Sequence, residues 1–378
     1  MSKLSPLLVL SLSATLLMLG VGMIVALLPQ RVHEMAGTLE SVGLVAAIFA
    51  FAYLLAQLPV SLLSDWLGPR WFLVIGYLLC SVSGIVYFFT GTPAGIYFGR
   101  VIQGLGEAPI WALGPAMLSL AYPSARGRMI GIYNAAIHIG LTLGPLLGLL
   151  IASGWQGRLP FFVFAVLCLS GGVLVLCFLR QATIPGGGAR PGFRQFLAVL
   201  RTKATLITLT GVLIYGAGYG VFLTVLPVSL TTTHGFGPTA VSLHFVQFYA
   251  AISLSQIVAG ARSDRIGRHG FLVWGMVLAA AGISLFSFVP GLSAFLPLGL
   301  ASVGLGMFCV ASIAELNDSV PDTLKGAISG TYYLFWGAGY VLGPLVIGAV
   351  GTNAPVTAFV ALAILFGLQA FAFQVARQ

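Results

Sequence analysis

Glu107 is a carboxylate set where a carboxylate is costly. It lies inside the apolar stretch 94–120, about 13 residues from its start, hence ~20 Å along a helix at 1.5 Å per residue. Near the middle of a bilayer an ionisable group is expensive to keep and is a functional candidate by default. A carboxyl whose surroundings alternate between oil and water can load and release a proton. The competing reading is a structural carboxylate permanently paired with Arg100. Gln103 lies between the two, and positions i, i+3 and i+7 share one helix face. Seven residues separate the charges by ~10 Å, too far for a direct bridge without Gln103 or a water between them.

A second polar line runs through the stretch 129–153, where Asn134, His138 and Thr142 recur every four residues. His138 is expected near the height of Glu107, and a carboxylate–imidazole pair there would titrate as a coupled unit. A packed, hydrogen-bonded histidine is the other reading. Trp111, Tyr215, Tyr219, Tyr332, Trp336 and Tyr340 supply aromatic faces that suit a hydrophobic or cationic organic solute. Tyr332, Trp336 and Tyr340 repeat at i, i+4 and form the preferred surface. Lipid-facing or core filling accounts equally well for part of this set.

The elements that must hold these residues follow from composition. The chain has 378 residues, 59% hydrophobic and 7% charged, with a mean hydropathy of +1.05. A soluble domain carries about 25% charged residues, so a polytopic membrane protein is expected. Twelve stretches, from 6–29 to 354–375, hold the roughly 20 apolar residues that a bilayer core of about 30 Å demands. With the N-terminus inside, 14 of the 17 Lys and Arg fall in cytosolic segments, while Arg31 and Arg158 fall in outer loops. Both termini are then cytosolic, and the net charge of +9 is topological rather than a nucleic-acid footprint. The apolar first stretch ends in Leu28-Pro29 without a cleavage site and reads as a retained span.

The chain is also duplicated. Ser64-Asp65-Trp66-Leu67-Gly68 recurs 199 residues later as Ser263-Asp264-Arg265-Ile266-Gly267, and Gly140-x-x-x-Gly144-Pro145 recurs as Gly339-x-x-x-Gly343-Pro344. The expected organisation is a six-helix bundle over 1–180, a basic cytosolic linker over 181–203 and a second six-helix bundle over 204–378. Gly140, Gly144 and Gly148, like Gly339 and Gly343, make small-x-x-x-small faces for close helix approach, and Pro145 and Pro344 bend their helices. Asp65, Arg70, Asp264, Arg265, Arg268, Glu315 and Asp318 gather at the cytosolic surface, where carboxylate–Arg contacts would act as gate latches biasing a two-state equilibrium.

Three local patterns carry a resemblance. The Ser-Asp-x-x-Gly-x-Arg loop ending in Arg70, the run Arg100-Val-Ile-Gln103-Gly104-Leu-Gly106, and Gly140-Leu-Thr-Leu-Gly144-Pro145-Leu-Leu-Gly148 resemble signatures of the major facilitator superfamily. The last is similar to the fifth-span signature of its twelve-span drug:proton antiporter branch. Pro69 departs from the loop pattern, which commonly has a basic residue there. The resemblance covers essentially the whole chain and implies two parallel six-helix repeats that alternate access to a midplane site, usually as a monomer. It also implies a role for Arg100 in proton transfer, against the alternative of an interfacial anchor snorkelling to water.

Other chemistry finds no support. Cys80, Cys168, Cys177 and Cys309 lie singly and read as small buried hydrophobes rather than metal ligands or disulfides. Gly-Lys phosphate loops, His-Glu-x-x-His and Gly-x-Ser-x-Gly are absent. The expectation is a non-enzymatic, cofactor-free exporter of small organic molecules in a bacterial-type inner membrane, with the proton as coupling ion. A proton-coupled importer of a small metabolite is the alternative.

Overall fold

The computed structural model describes residues 4–122, 126–152, 157–179, 200–320 and 325–376, without the side chains at 58, 61–67, 119, 120, 126–128, 130, 131 and 325–327. The expected linker 181–203 therefore lies outside the description up to residue 199, as does the Asp65 side chain. Among the described residues all regular structure is helical.

The duplication expected from sequence recurs element by element. The first series is α1 (Pro6–Val25), α2 (Leu27–Ala36), α3 (Leu39–Leu67), α4 (Pro69–Phe89), α5 (Pro93–Ala121), α6 (Arg126–Ile151) and α7 (Leu159–Phe178). The second is α8 (Lys203–Leu223), α9 (Val225–His234), α10 (Pro238–Ile266), α11 (His269–Phe286), α12 (Phe295–Asp318), α13 (Lys325–Asn353) and α14 (Pro355–Ala376), with a short 3₁₀ turn at Gly291–Ala294 before α12. Eleven described segments are long and apolar enough to cross a membrane. α5 is not one of them, because Arg100, Gln103 and Glu107 dilute its hydropathy.

The first span continues past the point expected from sequence. α1 breaks at Ala26 and the chain re-forms as α2, which carries Pro29 as its third residue. Proline is tolerated in a first helical turn, whose N–H groups have no intrahelical acceptor. α8 and α9 repeat the break at Thr224, with Pro227 in the matching place. One consequence overturns the placing of Arg31 in an outer loop. It is 1% exposed on α2. It donates to the carbonyls of Tyr87 at 3.0 Å and Thr90 at 2.5 Å, and its guanidinium lies 5.2 Å from the Phe161 ring centroid. Arg31 thus caps the carbonyl end of α4, where a cation is favoured. Arg31→Met should destabilise the purified protein by about 1–3 kcal/mol for each carbonyl left buried without a donor, read as a fall in Tm.

The repeated loop glycine has a backbone reason. Gly68 and Gly267 take φ/ψ of 84°/136° and 93°/152° as α3 and α10 end. That region is essentially closed to residues with a Cβ. A Cβ at Gly267 would meet nothing within 4 Å, so Gly267→Ala isolates the backbone strain. The expected cost is about 1–3 kcal/mol, measured by thermal unfolding against wild type.

The chain divides into two compact units: Met1–Gly37, Leu44–Gly186 and Val241–Val246 in one, Thr38–Gly43, Gly187–Ala240 and Gln247–Gln378 in the other. Within the first, α6 lies on α1 through its glycine face. A Cβ at Gly140 would sit 2.8 Å from the Leu19 nitrogen and Thr15 oxygen, and one at Gly144 2.5 Å from the Leu19 oxygen. A Cβ at Gly148 would sit 2.7 Å from the Met23 oxygen, and the Pro145 ring lies against Gly22. In the second unit Gly339 and Gly343 bring α13 against Leu213 and Ala217 of α8, and Pro344 lies against Gly220. Cys80 and Cys168 are buried as expected, whereas Cys177 is exposed and Cys309 intermediate.

Candidate functional site

α5 starts at Thr92, whose hydroxyl caps the Gly95 N–H, and at Pro93, which is preset for a first helical position. The expected span 94–120 matches the observed 93–121 closely. Three glycines let neighbours press against this helix. A Cβ at Gly99 would strike the Tyr87 ring of α4, one at Gly104 the Phe49 carbonyl of α3, and one at Gly106 would lie 2.7 Å from the Gly76 carbonyl of α4. The result is a polar line on α5 flanked by α3 and α4.

That line is continuous. The Arg100 guanidinium donates from Nε to the Val45 carbonyl at 2.9 Å and from a terminal nitrogen to Gln103 Oε1 at 3.0 Å, and it lies 4.2 Å from the Phe49 ring centroid. It is 8% exposed, so it does not snorkel to water. Tyr87 donates its hydroxyl to the same Gln103 Oε1 at 2.7 Å. Gln103 Nε2 then donates to Glu107 Oε1 at 2.8 Å, and the Trp111 indole N–H donates to Glu107 Oε2 at 3.2 Å. Gln103 and Glu107 are buried at 0% and 3% exposure. The Arg100–Glu107 bridge expected through Gln103 is therefore present, and both described ion pairs of the protein lie elsewhere, on Arg268. Glu107 has neutral hydrogen-bond donors as its immediate partners. Its charge is neither cancelled by a touching cation nor left without hydrogen-bond donors.

Tyr87, Val45 and Phe49 were not singled out from sequence, because cross-helix pairing leaves no mark on a single chain. Trp111 was assigned to a substrate surface. Its bond to Glu107 is an i, i+4 contact on one face, which spacing alone could have suggested. The described hydrogen bonds to Glu107 come from Gln103 and Trp111. His138 is half-buried on α6, with Asn134 exposed one turn earlier.

The aromatic residues of the second unit form two clusters joined through Tyr215. Tyr219 is the centre of one, with ring centroids 6.0 Å from Tyr215, 5.8 Å from Trp336 and 6.2 Å from Tyr340. Trp336 and Tyr340 stand 5.2 Å apart. Tyr219 and Trp336 keep partly exposed faces, while Tyr215 and Tyr340 are buried. Tyr332 instead turns its hydroxyl to Cys309 Sγ at 3.6 Å and packs on Tyr333 at 5.4 Å. Tyr215 also meets Cys309, so Tyr332 stays linked through it to the Tyr219 cluster.

At the helix ends, Arg268 joins Asp264 at 3.0 Å and Asp318 at 2.6 Å, tying α10 and α12 to the start of α11. Arg265 and Glu315 take no part in these pairs. Arg70 donates to the Leu176 carbonyl near the end of α7 and lies 5.7 Å from the Trp71 ring.

The Major Facilitator Superfamily profile matches residues 10–228 and 208–377. The multidrug resistance protein 1 of Bacillus subtilis (strain 168) is 26% identical over 340 residues, 87% of this chain and 85% of that protein. The class C tetracycline resistance protein of Escherichia coli is 26% identical over 356 residues, 89% of this chain and 87% of that protein. Among solved structures, a point mutant of the nucleoside transporter NupG superposes with a TM-score of 0.85 at 14% identity, over 99% of this chain and 100% of that one. The fold, the duplicated helices and this match agree, and the chain is a transporter belonging to the Major Facilitator Superfamily.

Proposed function

We propose that this transporter is a proton-coupled exporter of small hydrophobic or cationic organic molecules, working by alternating access in a bacterial-type inner membrane. Glu107 carries the proton, and Arg100, Gln103 and His138 tune it. α5 is the twelfth crossing, its 29 residues reaching ~43 Å against a core of about 30 Å. Both termini are cytosolic and the chain acts as a monomer. The observation that carries this reading is a carboxylate buried at 3% exposure whose contacts are neutral donors rather than a cation. A fixed ion pair would hold its charge in every state, whereas this carboxylate is free to be neutralised by a proton. The Tyr219–Trp336–Tyr340 cluster supplies faces for a flat or cationic solute. The names of the two resistance proteins point the same way for substrate and direction. Asp65, Arg70, Asp264, Arg265, Arg268, Glu315 and Asp318 serve the cytosolic gate.

The test is ethidium transport in proteoliposomes under an imposed pH gradient. Ethidium should move against its own gradient when protons flow the opposite way, and expression should raise cellular tolerance to it. Flux indifferent to the pH gradient would end the proton reading, and net cellular uptake of ethidium would reverse the direction.

A further inference from the structure

The hydrogen bonds around Glu107 admit a proton at one place more readily than the other. Arg100 can only donate, so the Gln103 atom facing it at 3.0 Å must be the amide oxygen. That oxygen also takes the Tyr87 hydroxyl at 2.7 Å. Turning the amide over would set an NH₂ group against a guanidinium, so Gln103 is held with its NH₂ toward Glu107 Oε1. The other carboxylate oxygen, Oε2, faces the Trp111 indole, which has an N–H and no acceptor. A proton arriving on Oε2 puts a donor in need of an acceptor against a group that can only donate. The indole bond is the longer of the two, 3.2 Å against 2.8 Å. Its ring is partly buried and rests against Tyr53, Ala56 and Ala108, whereas Gln103 is fully buried and doubly pinned.

We infer that Trp111 is the positioning residue through which the proton on Glu107 reaches the transported solute, a planar aromatic cation. This rests on Glu107 being the proton site. With the carboxylate charged, the indole is tethered by a charge-assisted hydrogen bond, and its face and the negative charge together receive the cation. Protonation removes the charge and releases the ring from its tether in one event. Proton and cation thereby exclude each other, as exchange requires.

Other titratable groups face this region. Tyr87 and Cys80 of α4 and Cys168 of α7 approach Glu107. From α6 comes Tyr133, whose hydroxyl goes to the Ile110 carbonyl. Tyrosine and cysteine ordinarily titrate near about 10 and 8.5, above the range that matters. An imidazole ordinarily titrates near about 6.5, so a Glu107→Gln arm is needed to separate Glu107 from His138 of α6.

The experiment follows detergent-purified full-length protein across pH by two signals. One is the carboxyl infrared band lost in Glu107→Gln. The other is the Trp111 emission, taken as the difference between each background and the same background carrying Trp111→Phe. The two should move with one midpoint, and the emission should be independent of pH in Glu107→Gln. Ethidium affinity should fall about tenfold across that midpoint, the effect of one charge-assisted hydrogen bond. In Trp111→Phe, which keeps a ring and the Glu107 charge but lacks the N–H, that pH dependence should shrink to the part carried by the charge alone, and an undiminished dependence would overturn the role of Trp111. If the infrared band titrates while the emission stays constant, the role of Trp111 is overturned and the proton site stands. If no carboxyl band assignable to Glu107 titrates, the proton site falls and this inference with it.

Discussion

Glu107→Gln should abolish the ability of a pH gradient to concentrate ethidium in proteoliposomes. Each pH unit supplies about 1.4 kcal/mol per proton, enough for about a tenfold ethidium gradient. The variant should bring that ratio to about one, the value for passive equilibration. Glutamine matches the size of the protonated acid and cannot lose a proton. Its single amide oxygen can still accept from Gln103, which meets Glu107 at 2.8 Å, so the packing is kept while titration and the tether to Trp111 are removed. Downhill exchange of ethidium between the two faces should persist. A variant that still concentrated ethidium in proportion to the pH gradient would show that the proton binds elsewhere.

Gly339→Ala should be among the most destabilising single-methyl changes in the second unit. The added Cβ would collide with the Leu213 backbone carbonyl, with the Ala217 nitrogen 2.9 Å away. A backbone oxygen inside a helix cannot rotate aside, so α13 and α8 must separate along the seam formed by Gly339 and Gly343. Overpacking of this kind typically costs about 1–3 kcal/mol, and a displaced helix pair also loses its contacts at Gly216 and Gly220. Gly330→Ala provides the comparison. It lies on the same helix and its Cβ would meet nothing within 4 Å. There the change should be neutral or stabilising by up to about 1 kcal/mol, from helix propensity alone. Thermal unfolding of the two proteins should move Tm in opposite directions, or at least leave Gly330→Ala unshifted. Equal losses would mean that the glycine face is not a packing seam.

Much of the framework was legible because membrane helices write themselves plainly into a sequence. Apolar length gave α5 within a residue at each end, and a fixed offset revealed the duplication seen in the paired glycines Gly68 and Gly267. Helical spacing also placed Arg100, Gln103 and Glu107 on one face, with Gln103 as the bridge. What spacing could not show was contact between helices. Tyr87 enters the site only because Gly99 of α5 leaves room for its ring, and Val45 contributes a backbone oxygen that no residue type announces. Arg31 was misplaced because Pro29 was taken as the end of the span, whereas the chain breaks at Ala26 and continues as α2 with Pro29 in its first turn. Spacing put Tyr332 on one helix face with Trp336, but it could not show the contact its hydroxyl makes with Cys309 on α12.

Proton release on ligand binding tests the central claim most directly. Ethidium added to weakly buffered, purified protein near the Glu107 midpoint, where the site is half protonated, should release up to about half a proton per ethidium bound, because competition between two ligands for one site is reciprocal. Glu107→Gln should bind ethidium and release none. Binding without any pH change in the wild type, or an equal release from the glutamine variant, would contradict the assignment of Glu107 as the proton site.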